Sequence, residues 1–300
     1  MGVDDGLCAS LLASCLLVGG ASARAEAPHR VTVIVDAFGD VPAVQHDWGF
    51  AALVEYGGKR ILFDTGNDAE LFARNAAALG VDLTRLDFAV ISHRHGDHTD
   101  GLRHLLAVNP QLTIYVPDDE YFGGSVPAAF FERSVPSLPA RMRYFGGRVP
   151  ATVGHGTPWR AARFVQVPDR LEVAPGIRVV RNVAAQGPFA DLPELSLAID
   201  GPQGQLVVVG CSHPGIENIL RSTGAPGRPV DLVVGGLHLL TASDAAIERV
   251  IGVLRNDLQV KQMAPAHCTG EPAFAALLRE YGDRYRHAGA GSVVNLPVRP

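Results

Sequence analysis

Residues 91–102 read ISHRHGDHTDGL and continue the apolar run DFAVI at 87–91. His93, His95 and His98, with Asp97 and Asp100, fall within eight residues at the end of a strand-like segment. So many protonatable groups are costly to take out of water without partners. Either they are solvated on a loop or a cation holds them together. His93 and His95 are two apart, so on an extended backbone they project to one side and can share an ion. Asp97 and His98 come after the turn and can face a second ion nearby.

Outward from the box, the chain alternates strand-like and helix-like runs. Upstream lie RVTVIVDAF (30–38), then WGFAALVEYG and RILFDTG, which pair as a hairpin across Gly57-Gly58, then a helix over DAELFARNAAALG stopped by Gly80. Downstream come a helix near residues 101–108 and the strand LTIYVP, ended by Pro117. Periodicity fades between about 118 and 175, and an irregular stretch that long reads as a functional insertion on the substrate side. Regular runs then return: IRVVRNV, ELSLAID, QLVVVG, a helix over GIENILRST, VDLVVGG, a helix over SDAAIERVIGVLRN, VKQMAPAH and a helix over PAFAALLREYG. Near-continuous apolar strands of this kind are buried on both faces. The expected class is α/β: a four-layered αββα sandwich, two mixed sheets face to face with helices outside.

Three more histidines sit just past apolar strands: His213 after LVVVGCS, His238 after LVVGGL and His267 after VKQMAPA. One such residue alone is ordinarily structural. Three together with the box predict a metal centre, provided the strand ends converge on one edge. Cys211 and Cys268 each lie within two residues of a histidine. They are candidate soft ligands, against the alternatives of buried thiols or a single disulfide. Asp64 is either a cap on the following turn or a partner that orients a ligand. His238 is equally open between a substrate-facing and a structural role, whereas His46 and His155 read as exposed loop histidines.

SHRHGDHTDGL resembles the His-x-His-x-Asp-His signature of the metallo-β-lactamase superfamily, and ILFDTG resembles its first motif. GCSHPGIENI, VVGGLHL and PAHCTG are similar to its dihydropterin ribofuranosylaminobenzene-phosphate synthase-like subgroup. The resemblance implies the metallo-β-lactamase fold, a first metal site of His93, His95 and His213, and a second of Asp97, His98 and His267. Asp64 would orient the metal loop. Many superfamily hydrolases place a bridging aspartate where this chain has Gly210-Cys211, so Cys211 is a possible ligand of the second ion. Histidine at 95, where diiron relatives carry glutamate, favours zinc, as one or two ions.

The implied activity is zinc-dependent hydrolysis of an ester, lactone, lactam or phosphoester. Metal-activated hydroxide would be the nucleophile and Asp97 the catalytic carboxylate. The alternatives are synthase-type condensation on a phosphorylated pterin precursor, or metal binding without turnover. The partner is then a small-molecule substrate, which Arg141, Arg143, Arg148 and Arg160 could grip if anionic, although arginines in such a run are usually solvated.

With 300 residues, 47% of them hydrophobic, and a net charge of −5, the chain is globular and carries no broad basic face for nucleic acid. Its first 25 residues, with an apolar run from Leu7 to Val18 and an Ala23-Arg24-Ala25 site, read as a secretory signal peptide despite the acidic MGVDDG start. Residues 26–300 would then form one domain, periplasmic or secreted, with no stable membrane anchor after cleavage.

Overall fold

The computed structural model describes residues 1–2, 28–119, 129–151, 159, 162–224 and 228–297. The expected signal peptide therefore lies, but for its first two residues, outside the described residues, as do His155 and Arg160. The described strands are β1 (Arg30–Val35), β2 (Ala51–Tyr56), β3 (Lys59–Phe63), β4 (Phe88–Val90), β5 (Thr113–Pro117), β6 (Arg163–Val167), β7 (Arg170–Ala174), β8 (Ile177–Asn182), β9 (Glu194–Asp200), β10 (Gln205–Val209), β11 (Val230–Gly236), β12 (Gln262–Ala266) and β13 (Val293–Asn295). The α-helices are α1 (Ala69–Ala78), α2 (Gly96–Thr99), α3 (Leu102–Val108), α4 (Ala129–Glu132), α5 (Ile216–Thr223), α6 (Asp244–Gly252) and α7 (Glu271–Tyr281). None of the described helices is long and apolar enough to cross a membrane.

The strands form two sheets, ordered β13-β1-β2-β3-β4-β5-β6 and β12-β11-β10-β9-β8-β7. Both are mixed: β3 to β6 run parallel in the first and β10 to β12 in the second, the remaining pairs being antiparallel. Side-chain alternation explains why the strands read as unbroken apolar runs. Along β2, Ala52 and Val54 face the other sheet, while Ala51 and Leu53 face α1 and α3. Along β10, Leu206 and Val208 point into the space between the sheets, while Val207 and Val209 meet the helical layer of α5, α6 and α7. Both faces of the interior strands of each sheet are covered, which is the αββα order expected from the sequence.

Local chemistry sets the connections. Gly57 and Gly58 have φ of 59° and 78°, the two positive values that a tight hairpin turn between β2 and β3 requires. Asp68 caps α1 by accepting the Leu71 N–H at 2.6 Å, and Gly80, with φ of 66°, terminates the segment.

Regular structure resumes at Arg163, earlier than the boundary of about 175 read from the sequence. β6 and β7 are the edge strands of the two sheets, and most of their side chains face solvent. RFVQV and RLEVA therefore carry arginines on an edge and lack the apolar run that marks the interior strands. The short α2 and β13 also go unmarked, at four and three residues.

Because β1, β3, β4, β10, β11 and β12 share one direction and β9 opposes them, the ends of the first six and the start of β9 gather at one edge of the sandwich. Every chemistry-bearing residue singled out above, apart from the arginines and loop histidines, follows one of these strands.

Candidate metal centre

The loop after β4 carries Ser92 to His95, and α2 then turns the box back so that Asp97 and His98 face the same space. The His93 ring centroid lies 4.6 Å from that of His95, 4.2 Å from that of His98 and 4.8 Å from that of His213. His95 and His213 are 5.0 Å apart, and His98 and His267 4.9 Å apart. Asp97 Oδ2 stands 3.5 Å from His267 Nε2 and 3.8 Å from His98 Nε2. The six residues singled out as metal ligands are thus brought together from three strand ends and one short helix.

Cys211 joins them. Its Sγ is 3.3 Å from His98 Nε2. The donor atoms of His93, Cys211 and His213 all lie within 4.8 Å of one another, and so do those of His98, Cys211 and His267. The thiol is common to both sets. The disulfide alternative does not occur, since Cys211 and Cys268 are both free.

The imidazoles are held from behind. Asp64 Oδ2 meets His98 Nδ1 at 2.7 Å, and the same carboxylate accepts from the Ser92 N–H at 2.6 Å and the Ser92 hydroxyl at 2.7 Å. Ser92 Oγ in turn is 2.8 Å from His93 Nδ1. Glu194, at the start of β9, meets His213 Nδ1 at 3.0 Å and accepts the backbone N–H groups of Cys211, Ser212 and His213. Each contact occupies Nδ1 and leaves Nε2 for the centre, the arrangement that fixes the tautomer and aim of ligating histidines. Asp36, after β1, accepts the His267 N–H at 2.9 Å.

Charge differs across the centre. Burial, reinforced by the neighbouring histidines, holds His93 and His95 below the ordinary imidazole value, His95 at about 4, so both are neutral donors at pH 7. Burial also lowers His98, but the Asp64 carboxylate outweighs it and raises the group to about 9. Burial pushes the carboxyl of Asp97 up, yet the contact with His267 and the charges of His98 and His95 overcome it and keep the group ionised. Burial raises the Cys211 thiol well above its ordinary value, so a thiolate there calls for a cation.

The residues fit a divalent cation of the zinc type. His267 is buried with neither ring nitrogen hydrogen-bonded, a rare condition for a buried polar group and the one expected of a metal ligand. The imidazole, thiol and carboxylate donors are those that zinc takes. Four of the six described non-glycine residues with positive φ are here: Asp64, Ser212, His238 and His267, at 57°, 67°, 51° and 47°. Such strain persists where the surroundings dictate it, and it clusters at working sites.

Two aromatic rings wall the centre. Trp48, 43% exposed, lies 5.0 Å from His267, and Phe189 lies 4.4 Å from His213 and 5.1 Å from His238. Neither ring was marked by the sequence, nor were Ser92, Asp36 and Glu194. The last two had a signal, a carboxylate placed against an apolar strand that has no wet face. His46 is exposed, as expected, and Arg141 and Arg148 are also exposed.

A family model described as a β-lactamase superfamily domain matches residues 59–136. A metal-dependent hydrolase of the β-lactamase superfamily, known from its crystal structure, is 25% identical and superposes with a TM-score of 0.65 over 89% of this chain and 99% of its own. Human tRNase Z, short form, at 15% identity and a TM-score of 0.53 over 90% of this chain and all of its own, shares the fold. The 7,8-dihydropterin-6-methyl-4-(β-D-ribofuranosyl)-aminobenzene-5'-phosphate synthase of Methanocaldococcus jannaschii is 28% identical over 83% of this chain and 90% of its own.

Proposed function

We propose that this chain is a zinc-dependent hydrolase of the metallo-β-lactamase superfamily holding one or two ions, a reading supported by the superfamily match over residues 59–136 and by the likeness to a metal-dependent hydrolase. The observation that carries this reading is the buried imidazole of His267, with neither ring nitrogen hydrogen-bonded, facing Asp97, His98 and Cys211 across a centre in which His93, His98 and His213 are braced. His93, His95 and His213 would hold one ion and Asp97, His98 and His267 the other, with Cys211 between them. A bound zinc ion supplies Lewis acidity and lowers the pKa of water, which suits attack on an ester, lactone, lactam or phosphoester.

The protein's own groups do the rest. Asp97, ionised and 19% exposed, is placed to accept a hydrogen bond from an attacking water, to orient it and to take up its proton. Asp64 and Glu194 keep the ring nitrogens aimed inward, which avoids reorganisation during the reaction. Trp48 and Phe189 offer apolar walls to a substrate entering from the open side.

A second reading, synthase-type condensation on a phosphorylated pterin precursor, is favoured by the Methanocaldococcus jannaschii relative. The two part on one experiment. Zinc-loaded protein is offered aryl esters and phosphodiesters alongside the pterin and phosphoribosyl substrates of a condensation. Hydrolysis of the first group supports the proposal, and condensation with no hydrolysis replaces it. On the N-terminal reading we further place the mature chain in the periplasm or outside the cell. Protein from the envelope fraction should begin at Glu26, and an intact Met1 in the cytoplasm would overturn that placement.

A further inference from the structure

The centre leaves one cluster unused. Three successive parallel strands of the second sheet, β10, β11 and β12, are followed in turn by Cys211, His238 and Cys268. Their donor atoms, two sulfurs and one imidazole nitrogen, lie within 4.8 Å of one another. Both thiols are free and buried, each at 3% exposure, and Cys268 Sγ lies 3.6 Å from the Cys211 carbonyl oxygen.

The backbone is shaped around this cluster. A Cβ at position 236 would come within 2.8 Å of Cys268 Sγ and 2.5 Å of the Gly210 carbonyl, so glycine there lets the thiol lie against the strand ends. His238 holds a φ of 51°, an uncommon conformation for a non-glycine residue, and its ring sits 4.4 Å from that of His213. Cys268 is not needed for either histidine set, and ordinary packing of a thiol does not call for an imidazole and a second sulfur at ligand distance.

We propose that Cys211, His238 and Cys268 form a third cation position, selective for soft ions such as Zn²⁺, Cd²⁺ or Cu⁺, that shares Cys211 with the histidine centre. Two sulfurs and one imidazole select borderline and soft ions, whereas the Asp97, His98 and His267 set accepts harder ones. His238 is the exposed member, so it marks where an ion enters. Cys211 is the common donor, so filling this position draws the thiolate away from the second histidine set. The proposal concerns metal binding alone and does not depend on which reaction the centre performs.

The test is cadmium titration of the metal-free, reduced, full-length protein carrying Cys8→Ser and Cys15→Ser, which serves as the wild-type reference because its remaining thiols are Cys211 and Cys268, following the thiolate-to-cadmium absorption and the number of ions bound. Wild type should show an absorption corresponding to two thiolates. Cys268→Ser should lose about half of it together with one bound ion. His238→Ala, which keeps both sulfurs and changes only a partly exposed side chain, should lose the same ion. Ions bound by the histidine sets should be retained in both variants. Wild type with one thiolate's absorption, wild type with no free thiols, or both variants with wild-type stoichiometry would each overturn the proposal. Absence of metal at the histidine sets alone, with the two-thiolate signal present, would defeat the zinc-hydrolase reading and leave this one standing.

Discussion

The two donor sets that meet at Cys211 are built differently. In the first, His93 is braced through Ser92, His213 through Glu194, and both His93 and His95 are neutral at pH 7. In the second, His98 carries a proton up to about 9 against Asp64, Asp97 is ionised, and His267 is held through its backbone by Asp36, with no hydrogen bond to its ring nitrogens among the described residues. One set is ready for a cation before it arrives. The other is a proton-holding arrangement that a cation must displace. Preorganisation of the first should make it fill earlier and hold tighter, while the second should respond to pH and carry the reacting water.

The sharpest way to break this contrast is Asp97→Asn, which keeps volume and removes the charge. Turnover should fall at least ~100-fold, as loss of a positioned acid or base costs, with the circular dichroism of the fold unchanged. Near-native rates would take Asp97 out of the mechanism. A second test uses pH. Since His98 is raised to about 9, it is protonated at neutral pH, and binding at its Nε2 must release that proton. The affinity of the weaker ion should therefore rise about tenfold per pH unit between pH 6 and 8 from the His98 proton, and about tenfold more per unit from the Cys211 thiol where it ionises on binding, with proton uptake by the buffer seen in calorimetry. The tighter ion should show little change over that range, because His95 loses its proton at about 4. Equal pH slopes for the two ions would erase the difference.

Glu194→Gln aims at the first set. It replaces the charged acceptor of His213 Nδ1 and of three backbone N–H groups, so affinity for the tighter ion should drop by about 10- to 100-fold, the usual cost of losing an orienting partner. A loss confined to the weaker ion would reverse the assignment. The smallest effect is expected from Cys211→Ser. Exchange of thiolate for hydroxyl should weaken the second ion by roughly tenfold while the fold and the first ion persist. Identical zinc titrations for wild type and variant would reduce Cys211 to a packed thiol.

The box at 93–98 and the three later histidines were legible because their residue types are costly at the end of a buried strand and gain a reason only together. The supporting groups were harder to see. Glu194 in LPELSL looks like the polar member of an alternating strand, and only the burial of β9 on both faces shows it to be an inward carboxylate. Ser92 is a small residue beside a histidine, and its value depends on Asp64 coming 2.7 Å from its hydroxyl across the sheet. The interior strands were plain from apolar runs. β6 and β7 were hidden, because exposed edge strands written in arginine, glutamate and glutamine look like loop until a partner strand is seen beside them.

The hydrogen bond from the His267 N–H to Asp36 joins residues 231 positions apart. Its span sets a schedule for biosynthesis. The ribosome has made the whole first sheet except β13, and all of the second sheet, before the residue that completes the second donor set exists. A growing chain can shape the earlier set once His213 has emerged, yet it cannot close the later one. Release of the finished polypeptide, and docking of β12 along β11, thus come before maturation. If the chain crosses a membrane unfolded, the supply of ions at its destination, and no ion from the compartment where it was made, determines what the mature centre contains.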